Sequence, residues 1–360
     1  MLALGVITVF ILSHGGSSFG SSNRNAAITR PIATATQSGS SAAQPRIIAA
    51  QERVYSLPQP AAGLMQPAVD AQGNVWVGMM QTNQLARLDS KTGAVTTWTP
   101  PNGKFGIMAT AVDAQGRVWF TEQNANYIGR FDPATQQFTT YPLEAVNGHA
   151  SAPQDLIFDK AGMLWFTEIG ATKIGRLDPT TGAIITWDAP KPKSASSAWL
   201  FSLTTLPDGS VWFGYLGGAL GRLDPITGAT QLYATGDANA QLYAMAGDAQ
   251  GRIWFTELSQ GKLGMLDPAT GKVTEIRVPT TTSAPASGLY DIVTTRDGSV
   301  WFADASANAL VRYTPQNGQF SFYQLAEPSS IPFGLALDTT GALWFTADSN
   351  PNNYIGVIRP

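Results

Sequence analysis

A tryptophan that recurs at nearly even spacing constrains the fold of this chain more than any other feature of its sequence. The gaps between successive copies are 43, 46, 47, 42, 47 and 43 residues. Two copies lie in almost identical stretches, "DAQGRVWFTE" and "DAQGRIWFTE". A period in the forties with strand-like sequence is typical of a β-propeller with four strands in each blade. The seven positions are Trp76, Trp119, Trp165, Trp212, Trp254, Trp301 and Trp344.

Each repeat predicts four strands joined by tight turns. A first strand leads into a turn such as "DAQGN" or "LPDGS", in which Gly supplies a positive φ angle. The tryptophan strand and a third strand, such as "KIGRLD", follow, and an Asp-Pro turn leads to a fourth strand, such as "AIITW". The strands are rich in β-branched and aromatic residues. The sequence therefore predicts an all-β fold with four-stranded antiparallel blades.

The two ends of the repeated region predict how the ring closes. The last repeat stops at "YIGVIRP", which supplies only a third strand, whereas "ERVYSLP" (Glu52–Pro58) reads like a fourth strand. We expect this N-terminal strand to complete the last blade, with Val54–Leu57 paired to Tyr354–Ile358. The result is a seven-bladed propeller without an exposed edge in its last blade. An open solenoid is the alternative, and the borrowed strand argues against it.

Residues before the repeats have a different composition. Met1–Leu12 form an apolar run of the length of a signal-peptide core, shorter than the roughly 20 residues that span a bilayer. Residues 13–51 are rich in Ser, Ala, Thr and Gly, which indicates a disordered linker ahead of the propeller at 52–360. We therefore expect an extracytoplasmic protein that is secreted, periplasmic or tethered to a membrane through residues 1–12.

Composition narrows the range of functions. The net charge is −3 and no basic cluster runs along the chain, which argues against a nucleic-acid partner. The chain has no cysteine, so disulfides, thiolate catalysis and Cys-ligated zinc are excluded. Its two histidines are His14 and His149. We expect a monomer.

Repeats of the form "WFTE … IGRLDP … TG" resemble the streptogramin B lyase family, which includes the virginiamycin B lyases. The resemblance covers Glu52 to Pro360. It implies a seven-bladed propeller that opens the ring of a cyclic depsipeptide antibiotic by elimination at an ester linkage, with Mg²⁺ as cofactor.

The positions that carry the family's chemistry are changed in this chain. The family's general base is a histidine near the start of the first strand of the last blade, with a second histidine on the blade before; these positions map to Phe333 and Tyr290. A metal-binding Glu maps to Ile331, and a second acidic residue is kept as Asp348. Phe cannot take a proton from carbon, and Tyr has an ordinary pKa of about 10.

The position of Phe333 and Tyr290 has an equivalent in every repeat. We expect the seven equivalent residues to surround the central channel at the face that carries the long connecting loops, and to bind an apolar, aromatic or carbohydrate ligand. The alternative is that these side chains plug the channel by packing against each other. The seven residues are Met65, Met108, Gln154, Phe201, Tyr243, Tyr290 and Phe333.

Acidic residues near the channel are candidate metal ligands. Asp155 and Asp291 directly follow two channel positions and, with Gln154, could hold Mg²⁺ or another divalent cation, as gluconolactonase-like propellers do. A second acidic group ends several tryptophan strands; its recurrence favours a structural role, such as accepting backbone N–H bonds. Its members are Glu122, Glu168, Glu257 and Asp304.

His149 is the only histidine within the repeats, and it lies on a long connector ahead of Asp155. It is a candidate general base or metal ligand, while a solvated surface residue is the alternative.

Three functions follow from these patterns. The first is an exported propeller that binds a small molecule, a peptide or a protein partner at the loop face over the channel. The second is a Mg²⁺-dependent lyase for a cyclic depsipeptide, with Asp348 and either Tyr290 or His149 in a rearranged site. The third is a metal-dependent lactonase of the gluconolactonase type, which would use Asp155 and Asp291.

Overall fold

The computed structural model describes residues 44–59, 62–101, 106–193, 198–281, 287–348 and 353–359. The predicted export signal at residues 1–12 and most of the predicted linker at 13–51 lie outside these residues. No helix that is long and apolar enough to span a bilayer occurs in the described part of the chain.

Every described element is a β-strand, and the strands form seven sheets. Blade 1 contains β3 (Leu64–Val69), β4 (Val75–Met79), β5 (Gln84–Leu88) and β6 (Val95–Trp98). Blade 2 contains β7 (Ile107–Val112), β8 (Val118–Glu122), β9 (Tyr127–Asp132) and β10 (Gln137–Pro142). Blade 3 contains β11 (Pro153–Phe158), β12 (Leu164–Glu168), β13 (Lys173–Leu177) and β14 (Ile184–Asp188). Blade 4 contains β15 (Leu200–Thr205), β16 (Val211–Tyr215), β17 (Ala219–Leu223) and β18 (Thr230–Ala234).

The remaining blades include the N-terminal strands. Blade 5 contains β19 (Leu242–Gly247), β20 (Ile253–Glu257), β21 (Lys262–Asp267) and β22 (Lys272–Arg277). Blade 6 contains β23 (Leu289–Thr294), β24 (Val300–Asp304), β25 (Ala309–Thr314), β26 (Gln319–Gln324) and β1 (Arg46–Ala49). Blade 7 contains β27 (Ile331–Leu337), β28 (Leu343–Asp348), β29 (Tyr354–Ile358) and β2 (Glu52–Ser56).

The first strand of every blade is its inner strand, and the inner strands of neighbouring blades contact each other around a closed circle that returns from β27 to β3. The last blade is completed by β2, which pairs antiparallel with β29, from Glu52 opposite Ile358 to Ser56 opposite Tyr354. The predicted seven-bladed propeller, with four-stranded antiparallel blades and an N-terminal strand in the last blade, is confirmed.

Strand β1 was not predicted. It pairs parallel with the outer strand of blade 6, from Arg46 opposite Ser321 to Ala49 opposite Gln324. The disordered linker predicted up to residue 51 therefore does not hold for these four residues. Ile47 and Ile48 are β-branched residues that favour extended backbone, and the open edge of β26 satisfies their N–H and C=O groups.

The repeated tryptophans are buried and anchor the turns between inner and second strands. Five of them donate an indole N–H bond to the Asp that opens the turn, at 2.8 to 3.1 Å from Nε1 to Oδ2. In six blades the same tryptophan packs on an aromatic residue of its own fourth strand. Trp98 and Trp187 are two of these partners. The repeat thus supplies both a hydrogen bond and a ring contact in most blades.

The Gly of the "IGR" motif is required by the phenylalanine that follows the tryptophan. In blade 3 a Cβ atom on Gly175 would lie 2.1 Å from the Phe166 ring, and in blade 2 one on Gly129 would lie 2.2 Å from the Phe120 ring. In these two blades only Gly leaves room for the ring on the neighbouring strand, whereas blade 6 has Val311 opposite Phe302.

Candidate functional site

A β-bulge near the start of each inner strand builds the candidate site. In all seven blades the pairing between the inner and second strands shifts at this point, so that one extra residue is inserted on the inner strand. The predicted channel residues all lie within these bulges. Bulges redirect side chains locally, which explains why neighbouring residues such as Gln154 and Asp155 both line the channel.

The Thr of the "WFTE" motif holds the bulge in place. Thr121 Oγ1 accepts a bond from the Ala109 amide at 3.0 Å and donates to the Gln154 carbonyl of the next blade at 3.3 Å. Thr346 Oγ1 likewise accepts a bond from the Gly334 amide at 2.9 Å and donates to the Met65 carbonyl of blade 1 at 3.1 Å. The threonines therefore join neighbouring inner strands and fix the geometry of the channel.

Four of the seven channel residues form an aromatic cluster. Tyr243 contacts Phe201, Tyr290 and Phe333, with ring centroids at 4.9, 5.1 and 5.7 Å, and Tyr290 contacts Phe333 at 4.8 Å. Tyr290 is 1% exposed, and Tyr243 and Phe201 are also buried. The structure thus places these side chains against each other, as the plug alternative predicted, and we name Phe201, Tyr243, Tyr290 and Phe333 the aromatic plug.

The remaining channel residues lie on blades 1 to 3. Met65 and Gln154 are buried, and Met108 is partly exposed. The Gln154 side-chain carbonyl accepts a bond from Gln123 Nε2 at 2.6 Å. None of these three channel residues is aromatic, so the plug occupies one side of the axis.

A cavity of about 590 Å³ runs along the axis, and all the channel residues except Tyr290 line it. Its walls extend along the inner strands to their last residues, such as Phe158, Thr205, Thr294 and Leu337. These strand-end residues are partly exposed, whereas most of the channel residues are buried. The cavity therefore opens toward the Gly turns, opposite to the loop face at which the sequence analysis placed the site.

Asp155 and Asp291 each join two blades. The Asp155 carboxylate accepts the Leu156 amide at 2.8 Å and the Leu203 amide of blade 4 at 2.9 Å. The Asp291 carboxylate accepts the Ile292 amide and the Leu335 amide of blade 7, both at 2.8 Å. Both residues line the cavity. These contacts give the two acids a structural role that the sequence did not predict.

Burial raises the pKa of both carboxyls to about 7. Burial is the largest cause in each case, and the charge of Asp291 also raises the pKa of Asp155. The same two charges contribute to raising the pKa of the Tyr243 hydroxyl, after burial and Tyr290. Asp155, Asp291 and Tyr243 therefore share one electrostatic environment beside the cavity.

The recurring acids at the ends of the second strands are buried. Asp304 Oδ1 accepts the Ser306 hydroxyl at 2.7 Å and the Ala307 amide at 3.0 Å, which is the loop-supporting role expected for this position. Burial raises the pKa of Glu122 and Glu257 to about 8. Within the described residues, no group of three or more His, Asp or Glu side chains is arranged to hold a metal ion.

The candidate catalytic residues occupy different surroundings. Burial raises the pKa of Tyr290 to about 12, which is opposite to the change that a general base needs. His149 is exposed beside a two-residue turn, Asn147–Gly148, that the Val146 and His149 backbones close with two hydrogen bonds. It belongs to the connector between blades 2 and 3, whereas Tyr290 lies on blade 6.

Asp348 lies on blade 7, where its Cα pairs with that of Ile331 across β27 and β28. Burial raises its pKa. The two positions that the resemblance assigns to metal binding are thus neighbours, and one of them carries an aliphatic side chain.

The wall residues near the turns were not predicted from the sequence. Thr205, Thr294 and Leu337 come four residues after Phe201, Tyr290 and Phe333, at the ends of the same strands. The fixed spacing from the channel position to the turn could have identified them, because both positions belong to strands that surround the axis.

The fold and this site define a class of protein, a seven-bladed propeller with an aromatic plug and an axial cavity. The sequence profile of the virginiamycin B lyase family matches residues 35–290, more than half of the chain. The chain therefore belongs to the virginiamycin B lyase family.

Solved structures share this fold. A streptogramin B lyase structure is 25% identical, with a TM-score of 0.73, and the match covers 86% of this chain and 97% of that chain. A catalytically inactive histidine-to-alanine variant of virginiamycin B lyase from Staphylococcus aureus, solved with quinupristin, shows the same fold at 24% identity and a TM-score of 0.74, covering 86% and 99% of the two chains. YCF48 bound to a D1 peptide shares the fold at 14% identity and a TM-score of 0.68, covering 88% and 97%. No curated protein matches the chain.

Proposed function

We propose that this protein is a binding member of the virginiamycin B lyase family that takes a small or medium-sized ligand in its axial cavity. The observation that carries the proposal is the cavity itself, about 590 Å³ in volume and lined by six of the seven predicted channel residues. This volume lies within the range of small-molecule sites, which are mostly apolar with a few polar groups.

The residues at the family's catalytic positions support binding rather than lyase chemistry. Phe333 and Tyr290 occupy the positions that the resemblance assigns to histidines, and both belong to the aromatic plug. Elimination requires a base that is deprotonated near neutral pH, whereas the pKa of Tyr290 is raised to about 12. Aromatic packing takes the place of proton transfer at this end of the channel.

Calorimetry with cyclohexanol, a neutral apolar probe, tests the proposal on the full-length protein. We expect saturable binding at one site. Met108→Trp should weaken it about tenfold, because Met108 lines the cavity and a larger side chain takes up volume. Ile226→Trp is the control, since Ile226 is 93% exposed. Absence of binding, or equal binding by both variants, would contradict the proposal.

A rearranged lyase is the second candidate, and family membership favours it. Asp348 would contribute to a Mg²⁺ site, with Tyr290 or His149 as base. Incubation with a cyclic depsipeptide and Mg²⁺, followed by mass spectrometry, tests it. Ring-opened product that EDTA and Tyr290→Phe both abolish would establish the lyase with Tyr290; loss with His149→Ala instead would assign the base to His149.

No observation favours the lactonase. It needs Asp155 and Asp291 as metal ligands, and within the described residues neither belongs to a group of three or more His, Asp or Glu side chains that could hold a metal ion. Protein-bound Ca²⁺ takes 6 to 8 oxygen ligands.

A further inference from the structure

The charge inside the axial cavity indicates which ligands it takes. Asp155 and Asp291 are the charged residues among the described residues of its lining, which contains no Lys, Arg or His. Asp291 is 6% exposed. Asp155 is partly exposed, and both residues line the cavity.

The two carboxylates keep hydrogen-bonding capacity for a ligand. In each, one oxygen accepts the amide of the next residue and the other accepts an amide of the neighbouring blade. Asp291 also accepts a hydrogen bond from the Gln66 side chain. A carboxylate offers about four lone-pair sites, so each group retains acceptor capacity after these bonds. The amides also fix the orientation of both carboxylates before any ligand arrives.

No described cation compensates the two charges. The influences on the Asp155 and Asp291 carboxyls are burial, backbone amides, the Gln66 side chain at Asp291, and the other Asp at Asp155. A buried carboxylate without a counter-charge is costly, and a bound cation offsets that cost. The pKa of both groups is raised because burial penalises their charged forms.

The walls indicate that the cation is organic. Leu156, Phe158, Ile292 and Leu337 supply apolar surface, and Phe201 and Tyr243 add aromatic rings at the plug. A bare divalent ion would leave most of about 590 Å³ unfilled. An aromatic ring also attracts a cation placed over its face.

Building on the proposed function, we infer that the axial cavity binds an organic ammonium ion, with its protonated amine at Asp155 and Asp291 and its apolar body along the inner strands. The amine donates hydrogen bonds to the carboxylates. The body fills the space between the aromatic plug and the Gly turns.

The test compares cyclohexylamine with cyclohexanol, which differ mainly in charge, by calorimetry on the full-length protein at pH 8.5. We expect the amine to bind at least about tenfold more tightly than the alcohol. Asp155→Asn combined with Asp291→Asn should remove this difference by weakening binding of the amine. Asp188→Asn, at an exposed aspartate on an outer strand, is the matched control and should keep the difference.

Each outcome decides between the two proposals. Equal affinity for both probes would overturn the ammonium inference while leaving the binding function in place, whereas binding of neither probe would overturn both. Binding of Mg²⁺ or Ca²⁺ that excludes the amine would replace the organic cation with a metal. Should the double variant fail to fold, each single variant should still lose part of the preference for the amine.

Discussion

The second and third strands of each blade, which we call the middle strands, differ from the inner strands in which contacts recur from blade to blade. In the middle strands, the same contacts recur from blade to blade: Trp119 and Trp165 bond to turn aspartates, and Phe120 and Phe166 lie on glycines. In the inner strands, the bulge recurs in all seven blades, but the residues within it differ.

This difference separates stability from recognition. Contacts that repeat are those that any blade needs in order to pack against its neighbours. The bulge supplies one geometry for seven different side chains, so substitutions there change the channel without changing the blade. Middle-strand substitutions should therefore reduce stability, and inner-strand substitutions should mainly change binding.

The largest effect is expected for Gly175→Ala in a middle strand. The new Cβ would lie 2.1 Å from the Phe166 ring inside a packed blade. We expect a loss of at least about 3 kcal/mol in the free energy of unfolding, measured by urea denaturation. Gly162→Ala is the control, because no neighbouring atom lies within 4 Å of its added Cβ. Only the strain of an L residue at a φ of +80° remains, and it costs about 1 kcal/mol. Equal losses would show that ring packing does not limit this position.

A somewhat smaller effect is expected for Asp113→Ala. Its carboxylate accepts bonds from Trp119 Nε1 at 2.8 Å and Arg117 Nε at 2.6 Å, besides two turn amides. Removing it leaves the buried indole N–H unpaired, which should cost about 2 to 3 kcal/mol. Asp132→Ala, on a turn where the carboxylate accepts only backbone amides, should cost less than about 1 kcal/mol. A similar loss in both variants would remove the special role of the tryptophan.

The inner-strand acids should show a pH-dependent effect. The folded-state pKa of Asp155 and Asp291, about 7, lies above the ordinary value of 3.8, so their contribution to stability is present below pH 4 and lost as the pH rises through 7. The Asn double variant lacks this loss. Relative to the native protein, its free energy of unfolding should therefore rise by about 2 to 3 kcal/mol between pH 5 and pH 6 without ligand. A difference that does not change with pH would show that the two acids titrate normally.

The smallest effect is expected for His149→Ala. The side chain is exposed and lies outside both the middle and the inner strands. The free energy of unfolding, measured by urea denaturation, should change by less than about 0.5 kcal/mol. The affinity for cyclohexanol should stay the same. Gly148→Ala next to it should cost about 1 kcal/mol, because its φ is +78°. A loss of binding in His149→Ala would bring the connector into the site.

The sequence predicts the fold in detail because the fold depends on the repeated residues. The spacing of the tryptophans gave the number of blades, and the missing fourth strand pointed to Glu52–Ser56. Strand β1 could not be found in this way, because its four residues pair only through the edge of β26 and carry no repeat motif.

The site was predicted only in part. Its residues could be identified by their position before the turn, and six of the seven line the cavity. Two properties of the site depend on distances between blades, which the spacing of residues along the chain does not reveal. One is the packing of Phe201, Tyr243, Tyr290 and Phe333 into a plug, and the other is the bonding of Asp155 and Asp291 to neighbouring blades.

The pairing of β1 with β26 and of β2 with β29 has a consequence for biosynthesis. Both N-terminal strands are translated long before their partners, so their backbone groups stay unmatched while nearly the whole ring is being made. Unpaired strands of this kind invite wrong pairing, either within the nascent polypeptide or with another molecule. The pairing of β1 with β26 and of β2 with β29 is therefore a late event in folding, and it links blades 6 and 7 through the N-terminal segment.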